Sequence, residues 1–274
     1  MNLPFYIQPS NLNTSNAELY LTIDAPGLSY IILEGGTCKA LAIYLFKPGT
    51  SNELVAGLMH RVIAEQPVLK QKFKKVNIIY GYAPSILIPQ QFMHEKDNGA
   101  LLDLIYGDSG ERINRYDFMY RQAIQNVYGV PAVIEQVITR YFSSAYYNHI
   151  YSLMANVVKY PGNHLYCIFS EGQLKALLVN DSKLQMMQHF DYKTPEDVVF
   201  HLLKLCKSFD VNVNDTILQL SGLIEADSAL YIELCKYFLQ VQFDTLTDIY
   251  QYPEEIFQHP AHYFSHLFSL AACV

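Results

Sequence analysis

The sequence predicts an α/β protein of two similar lobes, each ordered β-β-β-α-β-α around a mixed sheet. Three observations predict it. Short apolar runs separated by turn residues come in threes, each triplet is followed by a capped amphipathic segment and a further apolar run, and the whole order occurs twice. An offset of 144 residues carries Phe46 onto Phe190 and Thr50 onto Thr194 without a gap. A solenoid repeats at roughly 20 to 50 residues, so this spacing predicts two lobes rather than an array.

In the first copy the runs are LYLTI at 19–23, LSYIIL at 28–33 and ALAIYLF at 40–46. Ala25-Pro26-Gly27 and Glu34-Gly35-Gly36 between them carry the turn chemistry of an antiparallel meander. Thr50 and Glu53 read as a T-x-x-E capping box, and Leu54, Val55, Leu58, Met59, Val62 and Ile63 as one apolar helical face. KVNIIYG at 75–81 is the next strand. Further on, 97–106 reads as a short helix, and INRYDFMYRQAIQNVYGV as two strands meeting near Gln122-Ala123. Pro131 opens a helix, PAVIEQVITRYF, and NHIYSLMANVV continues as another. Pro161-Gly162 marks the boundary, with lobe one at 1–160 and lobe two at 161–274.

The second copy has strands at 164–169, 173–179 and 183–190, with turns at Ser170-Glu171-Gly172 and Asn180-Asp181-Ser182. Thr194 caps the following helix, Pro195 takes its first position, Asp197 closes the box, and Val198, Val199, Leu202, Leu203 and Cys206 face inward. TILQL then leads into Ser221-Gly222, after which a helix restarts. VQFDTL reads as a strand, and HPAHYFSHLFSLAA as a final helix that can pack back on lobe one.

Composition narrows the function. The chain has 274 residues, 51% of them apolar and 16% charged, which is the make-up of a globular protein with a substantial core. Its formal charge of -7 opposes adhesion to nucleic acid or anionic lipid. With no basic leader before an apolar stretch and no run of eighteen apolar residues, the expected setting is the cytoplasm, without membrane insertion. Five cysteines at wide spacings, none in a C-x-x-C, predict reduced and mostly buried thiols.

The segments HFDYKTPEDVVFHLLKLCKSF and LSGLIEADSALY, set in the two-lobed order, resemble an uncharacterised bacterial family with the actin-like ATPase (ribonuclease H-like) fold. That family is similar to the cytoplasmic actin-like assembly proteins of type IV pili and type II secretion. Members that hydrolyse ATP carry an acidic residue and glycines in the first hairpin of each lobe, where backbone N-H groups approach phosphate and the carboxylate holds metal and water. The resemblance puts Asp24 and Gly27 in that role in lobe one and Gly172 in lobe two, with Ser221 and Gly222 on the nucleoside. Pro26 lacks an N-H, the second hairpin has no Asp, and Leu223 stands where a second glycine is wanted.

Two functions follow from the resemblance. One is a non-catalytic actin-like scaffold with a degenerate nucleotide site and no cofactor, taking a protein or peptide partner in or near the inter-lobe cleft or on lobe one. The other is a divergent ATP-binding protein or small-molecule kinase that uses ATP with magnesium. A structural homodimer is a third.

Other motifs have plainer readings. Gly107-Asp108-Ser109-Gly110 is followed by Glu111 rather than glycine and reads as a hairpin turn, not a nucleophile. His259, His262 and His266 read as surface histidines of an amphipathic tail helix, not metal ligands. Glu196 and Asp197 suit the first turn of a helix better than paired acid and base. Lys70, Lys72, Lys74 and Lys75, with Phe73 among them, read as a solvated loop that is able to meet an acidic partner, and the tyrosines of RYFSSAYYNHIY as core or interface.

Overall fold

Strand formation follows the apolar runs. The computed structural model describes residues 2–9, 12–25, 27–92, 98–107, 110–157 and 162–274. It divides into two compact units, Met1–Leu153 with Ile249–Pro253 and Val274, and Met154–Asp248 with Glu254–Cys273.

Unit one begins with strands β1 (Asn2–Ile7), β2 (Glu18–Asp24), β3 (Gly27–Glu34) and β4 (Thr37–Leu45). Helix α1 (Asn52–Glu65), strand β5 (Lys75–Tyr80), strand β6 (Ser85–Pro89) and helix α2 (Asn98–Tyr106) follow. Then come β7 (Arg112–Met119), β8 (Ile124–Pro131), α3 (Ala132–Tyr141) and β9 (Tyr146–His149), with helix α4 (Ile150–Val157) after them. The main sheet runs β1-β4-β3-β2-β5-β9, and β6-β8-β7 make a smaller antiparallel sheet. Beneath the main sheet Leu19, Leu21, Ile23 and Tyr30 bury against Val55, Met59 and Val62 of α1 and Ile134 and Ile138 of α3. Each large aliphatic side chain so buried contributes about 1.5–3 kcal/mol relative to exposure.

Unit two has β10 (Asn163–Ser170), β11 (Gln173–Asn180), β12 (Lys183–Asp191), helix α5 (Pro195–Ser208), β13 (Thr216–Gly222), helix α6 (Ala229–Cys235) and β14 (Gln240–Phe243). Short 3-10 turns at Glu254–Gln258 and Ala261–Tyr263 lead to α7 (Ser265–Ala271), which packs on β13. Its sheet order is β12-β11-β10-β13-β14. In both units a three-stranded antiparallel meander is joined by two parallel strands, β2 with β5 and β9, and β10 with β13 and β14.

Several elements differ from their sequence-based outline. Helix α1 is capped by Ser51, whose hydroxyl accepts from Leu54 N, while Thr50 turns its own hydroxyl onto Lys47 O at 2.5 Å. Thr50 is spent on closing the preceding turn, so the capping box is absent there. Leu54 falls off the inward face and is 64% exposed, and Leu205 rather than Leu203 completes the buried face of α5. The box of Thr194 and Asp197 forms as read. The tail helix is broken at Phe264 into a 3-10 turn and α7. Strands β1, β6 and β9 were not expected. Pro26, the pair Asp108-Ser109 and Pro161 lie outside the described residues.

The cysteines are free; Cys38, Cys167 and Cys206 are buried, and burial pushes Cys38 up to about 12 and Cys206 to about 11. Among the described residues no helix is long and apolar enough to cross a membrane. Ser51→Ala is expected to cost about 1 kcal/mol in urea titration. Thr50→Ala should cost no more than about 0.5 kcal/mol, and the opposite order would restore the box to Thr50.

Candidate functional site

In open α/β sheets, ligands gather at the carboxyl ends of parallel strands. In unit two those ends carry Ser170, Gly222 and Phe243 with Asp244 just beyond. Gly222 pairs with Phe169 across β10 and β13 and has φ of 84°. A Cβ there would collide with the Phe169 carbonyl oxygen and crowd its nitrogen at 2.9 Å, so glycine is required by the strand pairing itself. Leu223 continues the ladder, its N-H donating to Phe169 O at 2.8 Å.

Ser221 is buried beside it. Its hydroxyl lies 3.0 Å from His262 O, 2.8 Å from Ser265 Oγ and 3.1 Å from His266 Nδ1. The segment of residues 261–271 thus meets the serine's hydrogen-bonding capacity from within the chain. A cavity of about 40 Å³ borders Ser221, His266, Gln219 and Asp244. Gln219 donates to Asp244 Oδ1 at 2.7 Å, which fixes that carboxylate at its edge. Gly172 lies in the β10–β11 turn, where its carbonyl accepts from Tyr192 N.

The histidines that read as surface residues are largely inside. His262 is buried, stacks on Phe243 with centroids 4.2 Å apart, and sets Nε2 2.8 Å from Ile224 O. His266 is half-buried and His259 alone of the three is exposed. The segment carries its apolar rings down onto β13, and the two imidazoles go with them. Burial, and then the charge of Lys175, hold His266 down at about 3 against an ordinary 6.5, and burial lowers His262 as well. Among the described residues no group of three or more potential ligands could hold a metal ion.

In unit one the corresponding strand ends carry Asp24, Tyr80 and His149. Asp24 pairs with Gly27 across the hairpin. Gly27 faces Tyr44, whose carbonyl oxygen a Cβ would strike, so this glycine too answers to its neighbouring strand. Burial, and then the Asp24 carboxylate, push the Tyr82 phenol well above its usual range. His149 sets Nε2 3.0 Å from Tyr82 O and accepts from Tyr151 N at Nδ1, a pattern that assigns the Nε2-H tautomer.

A second cluster escaped the sequence reading. Buried Glu135 on α3 accepts from Tyr80 Oη at 2.7 Å and is gripped by both the Nε and Nη2 of Arg115 on β7. The guanidinium lies 3.8 Å over the Tyr147 ring. Asp117, two residues on, accepts from His149 N at 2.6 Å and Tyr128 Oη at 3.2 Å. These bonds fasten β5, β7, β8, β9 and α3 to one another. Their partners are up to 55 positions apart, so no local spacing announces them.

The profile of the family described as Protein of unknown function (DUF3822) matches residues 8–241. No curated protein matches the chain. Among solved structures, a protein from Bacteroides thetaiotaomicron with an actin-like ATPase fold and unknown function aligns with a TM-score of 0.77 at 16% identity, over 95% of this chain and 97% of that one. The PilM-PilN type IV pilus biogenesis complex gives 0.59 at 13%, over 93% and 97%. The ethanolamine utilization protein EutJ from Carboxydothermus hydrogenoformans gives 0.51 at 7%, over 96% and 92%. At such identities the likeness shows the fold alone, and that fold is the actin-like ATPase fold.

Two outcomes follow. Gly222→Ala should lower the unfolding free energy by more than about 3 kcal/mol, since neither the β10 backbone nor the positive φ can yield, and an effect under about 1 kcal/mol would refute the close approach. Between pH 6.5 and about 3 the unfolded chain binds a proton that folded His266 refuses, so stability falls as pH drops through that window. His266→Gln should flatten this limb of the stability curve, and an unchanged slope would put the ring in water.

Proposed function

The chain belongs to the DUF3822 family of proteins of unknown function, and we propose that it is a non-catalytic, cytoplasmic interaction protein on the actin-like fold, with its nucleoside turn turned into a structural joint. One observation carries this reading. Ser221 spends its hydroxyl on the segment of residues 261–271, beside a cavity of about 40 Å³. Ligand pockets run to roughly 300–1,000 Å³. A cavity that small favours a packed joint over a nucleoside at the turn, and Gly222, the residue that would let a ligand approach, already admits the backbone of Phe169. The PilM-PilN type IV pilus biogenesis complex, similar in fold, supports a protein partner as the kind of ligand to look for.

A second reading, a divergent ATP-binding protein or small-molecule kinase, draws on Asp24, which ends β2 in a half-buried position beside the β5 terminus. In that reading Asp24 would hold magnesium. Calorimetric titration and thermal shift with ATP and magnesium separate the two. No heat and no shift at millimolar ATP is the expected result. Micromolar binding that disappears in Asp24→Ala would overturn the interaction-protein reading in favour of the second.

A further inference from the structure

Two stretches singled out in the sequence, the lysine run and RYFSSAY at 140–146, line a single groove of about 550 Å³ in unit one. One wall comes from the turn before β5 and the start of that strand, the other from the end of α3 and the turn into β9. Lys70, Lys74, Lys75 and Arg140 contribute four cations, and among the described residues no carboxylate lines the groove. Lys72 points its backbone elsewhere, its carbonyl accepting from Thr14 Oγ1.

These cations are poorly neutralised. Neither Lys70 nor Arg140 makes an ion pair among the described residues. Lys74 reaches Glu18 only at 3.9 Å, and its side chain is 66% exposed. Lys75 lies 5.1 Å from the ring centroid of Tyr146, itself 61% exposed. A solvated lysine face is the ordinary alternative, and Arg140 would in any case suit the last turn of α3. Two things set the groove apart from such a face. It is concave, and it places the exposed ring of Tyr146, with half-buried Phe73 in the same lining, among the charges.

The chemistry selects the occupant. A chain of net charge -7 that gathers four cations at one concavity attracts a short acidic ligand there and repels a long polyanion everywhere else. Nucleic acid, whose charge runs on past any short groove, is disfavoured on that ground. Carboxylates interleaved with apolar side chains use both the cations and the rings.

We propose that this groove docks a short acidic segment of a partner protein, its carboxylates on Lys70, Lys74 and Arg140 and an apolar side chain against Phe73 and Tyr146. The proposal rests on the interaction-protein reading and names the surface that serves it.

Fluorescence anisotropy tests it on the full chain, with a labelled peptide of glutamates alternating with leucine and tyrosine at low salt. Saturable binding is expected, weakened by added salt and reduced roughly tenfold or more in Lys70→Glu/Arg140→Glu. Lys183→Glu/Lys193→Glu, on exposed sites of unit two, should bind as the parent does. Circular dichroism checks that each variant is folded, and Lys70→Gln/Arg140→Gln serves if the reversal is not. Absence of saturable binding, or equal loss in both double variants, overturns the proposal. So does tighter binding of a labelled oligothymidylate through the same residues, which would assign the groove to nucleic acid, or full displacement of the peptide by equimolar pyrophosphate, which would assign it to a small anion. Failure here with ATP silent leaves the interaction-protein reading standing and removes only this groove; ATP binding that Asp24→Ala abolishes removes the reading itself.

Discussion

The main sheet of each unit depends on a pair of parallel interior strands, β2 with β5 and β10 with β13, and in unit two that pairing brings two backbones together so closely that residue 222 has to be glycine. The constraint reaches outward from there. Parallel strands cannot be joined by a hairpin, so each pair needs a long connection, and in both units it consists of two antiparallel strands and a helix. That helix, α1 or α5, supplies the apolar face that covers the pair. The position and amphipathic face of these helices follow from the need to cover strands buried on one side by the connection that joins them.

The two units differ in how they deal with polar groups near the strand ends. Unit one has a charged solution, in which Glu135, Arg115 and Tyr80 satisfy one another and Asp117 takes the N-H of His149. Breaking one member of such a buried pair leaves the other uncompensated, which makes the set rigid. Unit two closes around Ser221 with a hydroxyl, a backbone carbonyl and an imidazole, and burial, then the charge of Lys175, keeps His266 from protonating. The first holds strands and helix at fixed distances, and the second closes the carboxyl end of β13 against the segment of residues 261–271. Function, in the reading favoured above, has moved from strand ends to an outer surface.

How much of this was legible before the structure depends on the range of the interaction concerned. The six meander strands and α5 were readable because their signals are local: alternating apolar residues, turn residues between them, and the Thr194-Pro195-Glu196-Asp197 cap. The strands β1, β6 and β9 were not. Tyr146–His149 is four residues long and owes its extended form to pairing with Asn77–Tyr80, which no neighbour in sequence announces. Ser51 and Thr50 are both competent caps, and which one acts is decided by whether Lys47 O claims the threonine hydroxyl. The histidines at 262 and 266 looked like surface residues because their spacing suits a single exposed helix, whereas the chain breaks that helix at Phe264, which buries His262 and half-buries His266. The sequence reading set Asp24, Gly27, Gly172, Ser221 and Gly222 against a nucleotide, whereas for Gly27 and Gly222 the geometry supplies a backbone reason that a sequence pattern cannot express.

The Ser221 contacts also bear on the order in which unit two is completed. Its hydroxyl on β13 waits for partners 41 to 45 positions downstream. The β10–β11–β12 meander and α5 lie earlier in the chain and use nearer contacts, so they are able to assemble while the polar end of β13 is still open to water. A chain ending before residue 261 would hold all five strands of the unit-two sheet but none of the Ser221 side-chain partners, and would leave that hydroxyl to water.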